Sequence, residues 1–281
     1  MNPALRIGCA ALLIGLAVFL IWGHAPGSNP SYSNNEGVSS IMTSSTAQPP
    51  KYALHVLFIG NSYTFVHDIP REMVDIASSD PGNPTQFIVQ SVTRGAVGLR
   101  ELWTDGNALA ALKARHWDYV VLQENSFWAM TSGNIEESQE YFAKFDQAIK
   151  ENHAKTILYL TWPREPGSSW YTDPKYSFLQ NPTYMMERFA YNTDAEARKL
   201  GALVSPVGLY WFRTLKAQPP IKLYGPDNHH PGPAGAYLAA LVFYKTLTGR
   251  DVTKITMIPA GVAPKDAAMI KTIVSQPLSQ Q

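Results

Sequence analysis

The chain has 281 residues, a formal net charge of +1 and a single cysteine, Cys9. This balanced charge provides no basic field for nucleic acid and no acidic field for a cationic partner, so we expect a small or neutral molecule as the partner. Because Cys9 lies near the N-terminus, the rest of the chain has no disulfide, no thiol nucleophile and no thiolate metal site. The length allows one α/β domain of roughly 225 residues with an ample core.

The first 25 residues are typical of an export leader. An apolar run from Ile7 to Trp22 follows Arg6, which matches the charged and apolar regions of a signal peptide. Small residues at Gly23 and Ala25 fit signal-peptidase cleavage, yet the run approaches the roughly 20 residues that span a bilayer. We expect residues 1–25 to be a signal peptide or an anchor through residues 7–22, with cleavage favoured, and the domain to be periplasmic or secreted.

A polar segment separates this leader from the folded part of the chain. Residues 26–51 are rich in Ser, Asn, Gly and Pro and have scarcely any periodic apolar residues, which predicts a flexible linker. From Tyr52 onward, short apolar runs alternate with segments of helical periodicity. We therefore place the folded domain at residues 52–275 and a tail at 276–281.

The pattern within the domain predicts a three-layer α/β/α sandwich. The strand candidates are at residues 54–59, 87–92, 119–122, 156–160 and 202–207. Apolar residues recur at helical spacing at 135–149 and 186–200, and a last helix is predicted at 237–244, with Pro233 near its start and Gly249 near its end. Alternating strands and helices favour right-handed crossovers, so we expect a five-stranded parallel sheet with helices on both faces.

Polar segments follow the first three predicted strands, where the ligand crevice of an open parallel sheet lies. Ser62 follows the first strand, Gly95 and Gly98 follow the second, and residues 123–126 follow the third. The loop at 227–230 leads into the last helix and can fold back over the same edge. A serine hydroxyl needs a base and fixed dipoles to attack an acyl carbon, and these segments supply candidates for both.

Four segments occur in the order of the sequence blocks of the SGNH (GDSL-type) serine hydrolases, which the chain resembles over residues 52–249. They are Gly60-Asn61-Ser62, Arg94-Gly95-Ala96-Val97-Gly98, Gln123-Glu124-Asn125-Ser126 and Asp227-x-x-His230. The resemblance implies the flavodoxin-like SGNH hydrolase fold and ester hydrolysis by a Ser-His-Asp triad. No cofactor and no metal are implied.

The same resemblance assigns roles to particular residues. Ser62 corresponds to the nucleophile, His230 to its base and Asp227 to the residue that orients the base. The implied oxyanion donors are the backbone N–H groups of Ser62 and Gly98 and the side-chain amide of Asn125, with Gly95 as the alternative to Gly98. Two alternatives stay open: His229 in the role of His230, and a zinc or manganese site built from Asp227, His229 and His230.

The blocks depart from the family pattern at three positions. Asn61 replaces the aspartate of the first block, and since that aspartate is not the triad acid, activity should survive. Gln123 and Ser126 replace the glycine and aspartate that flank the asparagine of the third block. We expect this change to alter how Asn125 is held.

The sequence indicates the substrate less clearly. Residues 161–184 carry several aromatic residues, among them Trp162 and Trp170, which could stack on a sugar ring or fasten an irregular loop to the domain. The sequence has no long apolar lid segment of the kind that would indicate a lipase. We expect a small-molecule or glycan ester with a short acyl group, such as acetate on a carbohydrate. An O-acyltransferase with the same triad and an inactive binding module are the alternatives, and the oligomeric state is open.

Overall fold

A seven-stranded sheet forms the middle layer of the computed structural model, which describes residues 36–46 and 49–278. The strands, in chain order, are β1 Gly37–Val38, β2 Met42–Thr43, β3 Tyr52–Gly60, β4 Thr85–Thr93, β5 Tyr119–Leu122, β6 Lys155–Tyr159 and β7 Leu203–Ser205. The last five are parallel and lie in the order β4-β3-β5-β6-β7. This is the flavodoxin-like order, in which the direction of the winding reverses at β3.

Nine α-helices within the described residues pack around the sheet. They are α1 Ser62–Phe65, α2 Ile69–Ser79, α3 Leu99–Thr104, α4 Asn107–Lys113, α5 Ser132–Glu151, α6 Pro182–Leu200, α7 Val207–Thr214, α8 Pro233–Thr248 and α9 Pro264–Ser275. The predicted helices correspond to α5, α6 and α8 and are confirmed. However, α8 is not the last helix, because Ala267, Ile270 and Val274 form a further buried face on α9.

The side chains of β3 alternate between the two faces of the sheet, and each face has its own part of the hydrophobic core. Val56 and Phe58 pack with α2, α8 and α9 on one side of the sheet. Leu57 and Ile59 point to the opposite side, where they pack with α3 to α6. All four side chains are fully buried, which explains the continuous apolar run of this strand. The predicted α/β/α sandwich with a parallel sheet is therefore confirmed.

Two of the predicted strands run past the C-terminal ends of the observed ones. The structure ends β6 at Tyr159 rather than at residue 160 and ends β7 at Ser205 rather than at 207. Val207 instead begins α7, directly after Pro206. A short apolar run does not reveal whether its last residues continue a strand or start a buried helix, and here tertiary packing decides.

Part of the predicted flexible linker belongs to the sheet. β1 and β2 pair antiparallel with β4, Val38 opposite Val92 and Met42 opposite Val89. The Ser44 hydroxyl also accepts a hydrogen bond from the Phe87 N–H at 2.8 Å. Since β4 would otherwise expose a row of unpaired backbone groups at the sheet edge, pairing explains why this polar segment is held.

The leader predicted at residues 1–25 lies outside the described residues, as do residues 279–281 of the predicted tail. Across residues 36–46 and 49–278, the structure contains no helix with the length and apolar character needed to cross a bilayer.

A buried carboxyl group on α2 gives the stability of the fold a pH dependence. Glu72 is 8% exposed, and its Oε1 has no hydrogen-bond partner in the part of the chain that the structure describes. Burial, together with the nearby charges of Asp75 and Asp68, raises the pKa of Glu72 to about 8. An ordinary glutamate in the unfolded chain has a pKa of about 4.3, so the folded state binds more protons between these two values.

We therefore expect stability to fall as the pH rises from about 5 to 9, with Glu72 contributing on the order of 4 kcal/mol of the loss. Glu72→Gln removes this titration, so its advantage over the wild type should grow with pH. The measurement is the free energy of unfolding in urea at both pH values. The exposed Glu140→Gln is the control, and a Glu72→Gln curve parallel to the wild type would contradict the assignment.

Candidate active site

The turn after β3 delivers Ser62 to the carboxyl edge of the sheet. β3 ends at Gly60, Asn61 caps α1, and Ser62 is the first residue of that helix. A Cβ atom at Gly60 would lie 2.7 Å from both Gln123 Oε1 and Thr64 Oγ1. Only glycine allows so close an approach of β3 to the end of β5, which accounts for the first residue of the motif.

Asn61 links the first block to the second. Its Oδ1 accepts from the Tyr63 N–H at 3.1 Å, and its Nδ2 donates to the Val97 carbonyl at 2.8 Å. An aspartate at this position could accept the first bond but could not donate the second when ionised. The amide is therefore the side chain that suits this local structure.

The structure also explains why Gln123 replaces the glycine of the third block. Its Oε1 accepts from the Asn61 N–H at 2.8 Å and from the Thr64 hydroxyl at 2.9 Å. The side chain is 1% exposed, so these bonds form away from water. A glycine would leave both donors without this acceptor, so Gln123 braces the serine turn from the neighbouring strand.

Asn125 is held by a buried carboxyl group. Glu124 Oε1 accepts from the Asn125 N–H at 2.7 Å and from Asn125 Nδ2 at 3.1 Å, and both oxygens of Glu124 lie 3.2 Å from the Leu99 nitrogen. Burial raises the pKa of Glu124 to about 7, although the two backbone N–H groups oppose this shift. An amide nitrogen carries two hydrogens, so Asn125 keeps one for a further acceptor.

Gly98 lies beside the Asn125 amide. A Cβ atom on Gly98 would be 3.1 Å from Asn125 Nδ2, whereas the neighbours of Gly95 are Glu36 and Phe65. The Gly98 N–H donates to Glu101 Oε2 at 3.0 Å. Binding of an oxyanion by this N–H therefore requires the bond to Glu101 to be shared or broken.

Asp227 and His230 are joined as a carboxylate–imidazole pair. Asp227 Oδ2 lies 2.6 Å from His230 Nδ1, and Asp227 Oδ1 accepts from the His230 backbone N–H at 3.0 Å. Burial alone would raise the pKa of Asp227, but the hydrogen bond from His230 and the charges of both histidines lower it below its ordinary range. The carboxylate thus stays ionised and fixes Nδ1 as the donor, so Nε2 is the ring nitrogen of His230 that can act as a base.

His229 occupies a different environment. Its Nδ1 lies 3.1 Å from the Asp227 backbone carbonyl and 3.5 Å from Asp227 Oδ1. Burial, the charge of His230 and the charge of Arg164 lower the pKa of His229 to about 4. Since His230 has the shorter bond to the carboxylate, the geometry favours His230 over His229 as the base.

The loop at residues 227–230, called the histidine loop below, lies on the same edge of the sheet as the turn that carries Ser62. Tyr63, the residue after Ser62, has its ring centroid 5.7 Å from that of His230 and 6.3 Å from that of His229. Ser62 is half-buried, and its side chain makes no hydrogen bond to another described residue. Catalytic hydrogen bonds are often loose before substrate binds, so this arrangement suits a serine and a base that engage in the complex.

Residues that follow β6 donate hydrogen bonds to the backbone of the histidine loop. Trp162 Nε1 donates to the His229 carbonyl at 3.0 Å, and the Glu165 N–H donates to the Asn228 carbonyl at 2.9 Å. Trp162 is fully buried and stacks on Trp211 at 3.9 Å between ring centroids. The expectation that Trp162 contacts substrate is therefore wrong, because a buried ring has no face left for a sugar.

Trp170 is only partly buried, but its ring is already engaged. It lies 3.6 Å from the Arg164 guanidinium carbon and stacks on Tyr176 at 4.2 Å between ring centroids. Phe127 and Phe178 complete this cluster. The aromatic residues after β6 thus fasten an irregular segment to the domain, which was one of the two interpretations of their spacing.

The Asp227 loop also has the donors for a metal ion. One ligand atom from each of Asp227, His229 and His230 lies within 4.8 Å of the others, and this is the one such group among the described residues. Imidazole and carboxylate ligands suit zinc or manganese.

The supporting residues Gln123, Glu124 and Arg164 were not anticipated as parts of the site. Gln123 and Glu124 stand directly after a strand beside Asn125, so their position could have suggested a bracing role. Arg164 has no such signal, because a single arginine after a strand is normally solvent-exposed.

A serine at the end of a parallel strand, on the same edge of the sheet as an imidazole paired with a carboxylate, is an arrangement found in serine hydrolases. No family model and no curated protein matches the sequence. Solved structures do share its fold. A protein from Slackia heliotrinireducens, itself a predicted SGNH hydrolase, is 29% identical with a TM-score of 0.58, over 69% of this chain and 99% of that one.

Two more distant structures show the same fold. A DUF4886 family protein from Bacteroides uniformis is 18% identical with a TM-score of 0.67, over 79% of this chain and 93% of that one. An acetylxylan esterase from Geobacillus stearothermophilus is 14% identical with a TM-score of 0.51, over 75% and 96% of the two chains. The fold and the ordered blocks of the chain are those of an SGNH (GDSL-type) hydrolase, an enzyme that acts on ester bonds.

Proposed function

We propose that this protein is an exported serine esterase that removes short acyl groups, such as acetate, from a carbohydrate. Ser62 is the nucleophile, His230 the base and Asp227 the residue that orients it. The observation that carries this proposal is the 2.6 Å contact between Asp227 Oδ2 and His230 Nδ1, beside the ring of Tyr63. Export rests on the apolar run from Ile7 to Trp22.

The reaction proceeds through an acyl-enzyme. Ser62 Oγ attacks the acyl carbon while Nε2 of His230 takes its proton, and the alcohol then leaves with that proton. Asp227 stabilises the imidazolium that forms between these steps. Water, activated by His230, attacks the acyl-serine and releases the acid.

The oxyanion is bound by the side-chain amide of Asn125 and the backbone N–H groups of Ser62 and Gly98. Glu124 orients the amide, so the donor is in place before the charge develops. Preorganised donors of this kind act in the transition state more than in the ground state.

Two observations support a short acyl group on a carbohydrate. The acetylxylan esterase that shares the fold has acetylated xylan as its named substrate. Two cavities among the described residues have volumes of about 310 Å³ each, and neither is lined by Ser62, Asn125 or His230. A long acyl chain normally needs an extended apolar cavity, which favours a small group.

We expect a fluorophosphonate to label Ser62, because only a serine activated by its base reacts with this electrophile. Intact-mass and peptide mass spectrometry of the purified protein measure the adduct. The Ser62→Ala variant is the control and should remain unlabelled with an unchanged far-ultraviolet circular dichroism spectrum. An adduct on another residue, or none at all, would contradict the proposed triad.

Product analysis then separates hydrolysis from transfer. The enzyme is incubated with 4-nitrophenyl acetate or an acetylated xylo-oligosaccharide, with and without an unacetylated glycan. Free acetate in both cases supports the esterase. Acetylation of the added glycan, with little free acetate, would replace the esterase by an O-acyltransferase that uses the same residues.

A further inference from the structure

Arg164 is a buried cation without a hydrogen-bonded partner. It lies five residues after the end of β6, it is 2% exposed, and its Nε and Nη1 atoms form no hydrogen bond with any described residue. No carboxylate of the described chain forms an ion pair with it. Burial of a guanidinium is unfavourable unless its donors are paired, so this side chain requires an explanation.

Aromatic rings compensate only part of this cost. The guanidinium carbon lies 3.6 Å from the ring centroid of Trp170 and 4.9 Å from that of Phe127. Such cation–π contacts act on the faces of the guanidinium plane, whereas its N–H groups point outward in the plane. Burial lowers the pKa of Arg164, but an arginine retains its charge at neutral pH.

The unpaired donors are next to the proposed active site. The adjacent Glu165 N–H is bonded to the Asn228 carbonyl of the histidine loop. The charge of Arg164 acts on Tyr63, Asp227 and His229, which flank the serine and the base. The Tyr63 hydroxyl is also buried; it faces Ser126 without forming a hydrogen bond of good geometry.

These unpaired groups are complementary to one small anion. Asp227 is bonded to His230, and no other carboxylate among the described residues forms an ion pair with Arg164. A phosphate dianion is commonly bound by several cations or by a row of backbone N–H groups, whereas one guanidinium matches one carboxylate in shape and charge. A single buried arginine thus favours a carboxylate.

We propose that Arg164 is a specificity-determining residue that binds a carboxylate carried by the substrate close to its ester bond. The substrate class is then an acyl ester of an acidic sugar, or an ester whose acyl part ends in a carboxylate. This inference rests on the proposed esterase function. The half-buried ring of Trp170 stacks on one face of the guanidinium, so the carboxylate binds the N–H groups in the guanidinium plane.

The test compares acidic and neutral esters by their kcat/KM values. Two pairs of substrates are compared. The first is the acetate ester of methyl glucuronoside against that of methyl glucoside, and the second is 4-nitrophenyl hemisuccinate against 4-nitrophenyl acetate. A charged hydrogen bond gives roughly 10- to 100-fold discrimination, so we expect one acidic ester to exceed its neutral counterpart by that ratio. The pair that shows the ratio identifies which part of the ester carries the carboxylate.

In Arg164→Gln the ratio should fall to about 1, because glutamine keeps polar atoms but loses the charge. The ratio is used because it cancels any general effect on the triad. Arg188→Gln is the matched control, since Arg188 is a partly buried arginine on α6 that donates to the Ala129 carbonyl, and it should keep the wild-type ratio. A wild-type ratio near 1 in both pairs, or one that persists in Arg164→Gln, would overturn the inference.

A binding measurement separates this inference from the esterase proposal. In Ser62→Ala, calorimetric titration with methyl glucuronoside and with succinate should give binding of one of them that is lost in the Ser62→Ala/Arg164→Gln double variant. Binding without ester cleavage by the wild type would refute the esterase while supporting the carboxylate site. Cleavage without preference and without such binding would refute only the carboxylate site. If Arg164→Gln does not fold, Arg164→Lys is used and should show a reduced ratio.

Discussion

In the His230→Gln variant we expect kcat for a short aryl ester to fall by about 10⁴-fold, while His229→Gln stays within about tenfold of the wild type. The contrast follows from the geometry. His230 Nδ1 lies 2.6 Å from the Asp227 carboxylate, whereas the nearest Asp227 atom to His229 Nδ1 is the backbone carbonyl at 3.1 Å. Steady-state kinetics with 4-nitrophenyl acetate measures both variants.

Asp227→Asn should resemble His230→Gln in its effect, because an amide no longer fixes the imidazole tautomer or stabilises its cation. The reverse pattern, with His229→Gln inactive and His230→Gln active, would exchange the two roles. Equal losses in both histidine variants, together with loss of activity after treatment with a chelator and recovery with zinc or manganese, would instead indicate a metal held by Asp227, His229 and His230.

Asn125→Ala should lower kcat by about 10² to 10³-fold with little change in KM, equivalent to roughly 3 to 4 kcal/mol of transition-state stabilisation. Glu124 holds one hydrogen of the Asn125 amide and so directs the other toward the site. This donor acts mainly when the oxyanion has formed, so the ground-state complex should lose little. The measurement is the separate determination of kcat and KM for 4-nitrophenyl acetate.

Asn134→Ala is the control for this variant. Its side chain donates to the Phe127 carbonyl at 3.1 Å from an exposed position on α5, and it should keep kcat near the wild-type value. A rise in KM at constant kcat in Asn125→Ala would mean that the amide binds the substrate rather than the oxyanion.

The prediction of the fold depended on elements with strong local signals. β3 has four consecutive fully buried apolar residues. The helices α5 and α6 each have one apolar face, and α8 is apolar along most of its length, as expected of helices that pack in a core. By contrast, β1 and β2 are two residues each and carry no periodic signal. They exist because the edge of β4 offers hydrogen bonds, which local sequence does not encode.

In the candidate site, too, the sequence identified only the residues that have a local signal. Ser62, Asn125 and Asp227 with His230 could be proposed from the sequence because each stands directly after a predicted strand or before a predicted helix, in a recognisable order. Trp162 was misassigned, because an aromatic residue near the site has the same sequence signal whether it faces solvent or the core.

The sequence by itself determined the order of strands and helices along the chain and the serine at the end of β3, because these depend on spacings within one segment. The pairing of Asp227 with His230 was implied by the resemblance to a family, with His229 as the alternative. Only the tertiary structure decided which residues brace Asn61 and Asn125, that Trp162 is buried, and that the guanidinium of Arg164 is enclosed without a hydrogen-bonded acceptor. Those properties depend on contacts between segments that are distant in the chain, and burial and unpaired charge have no local sequence signature.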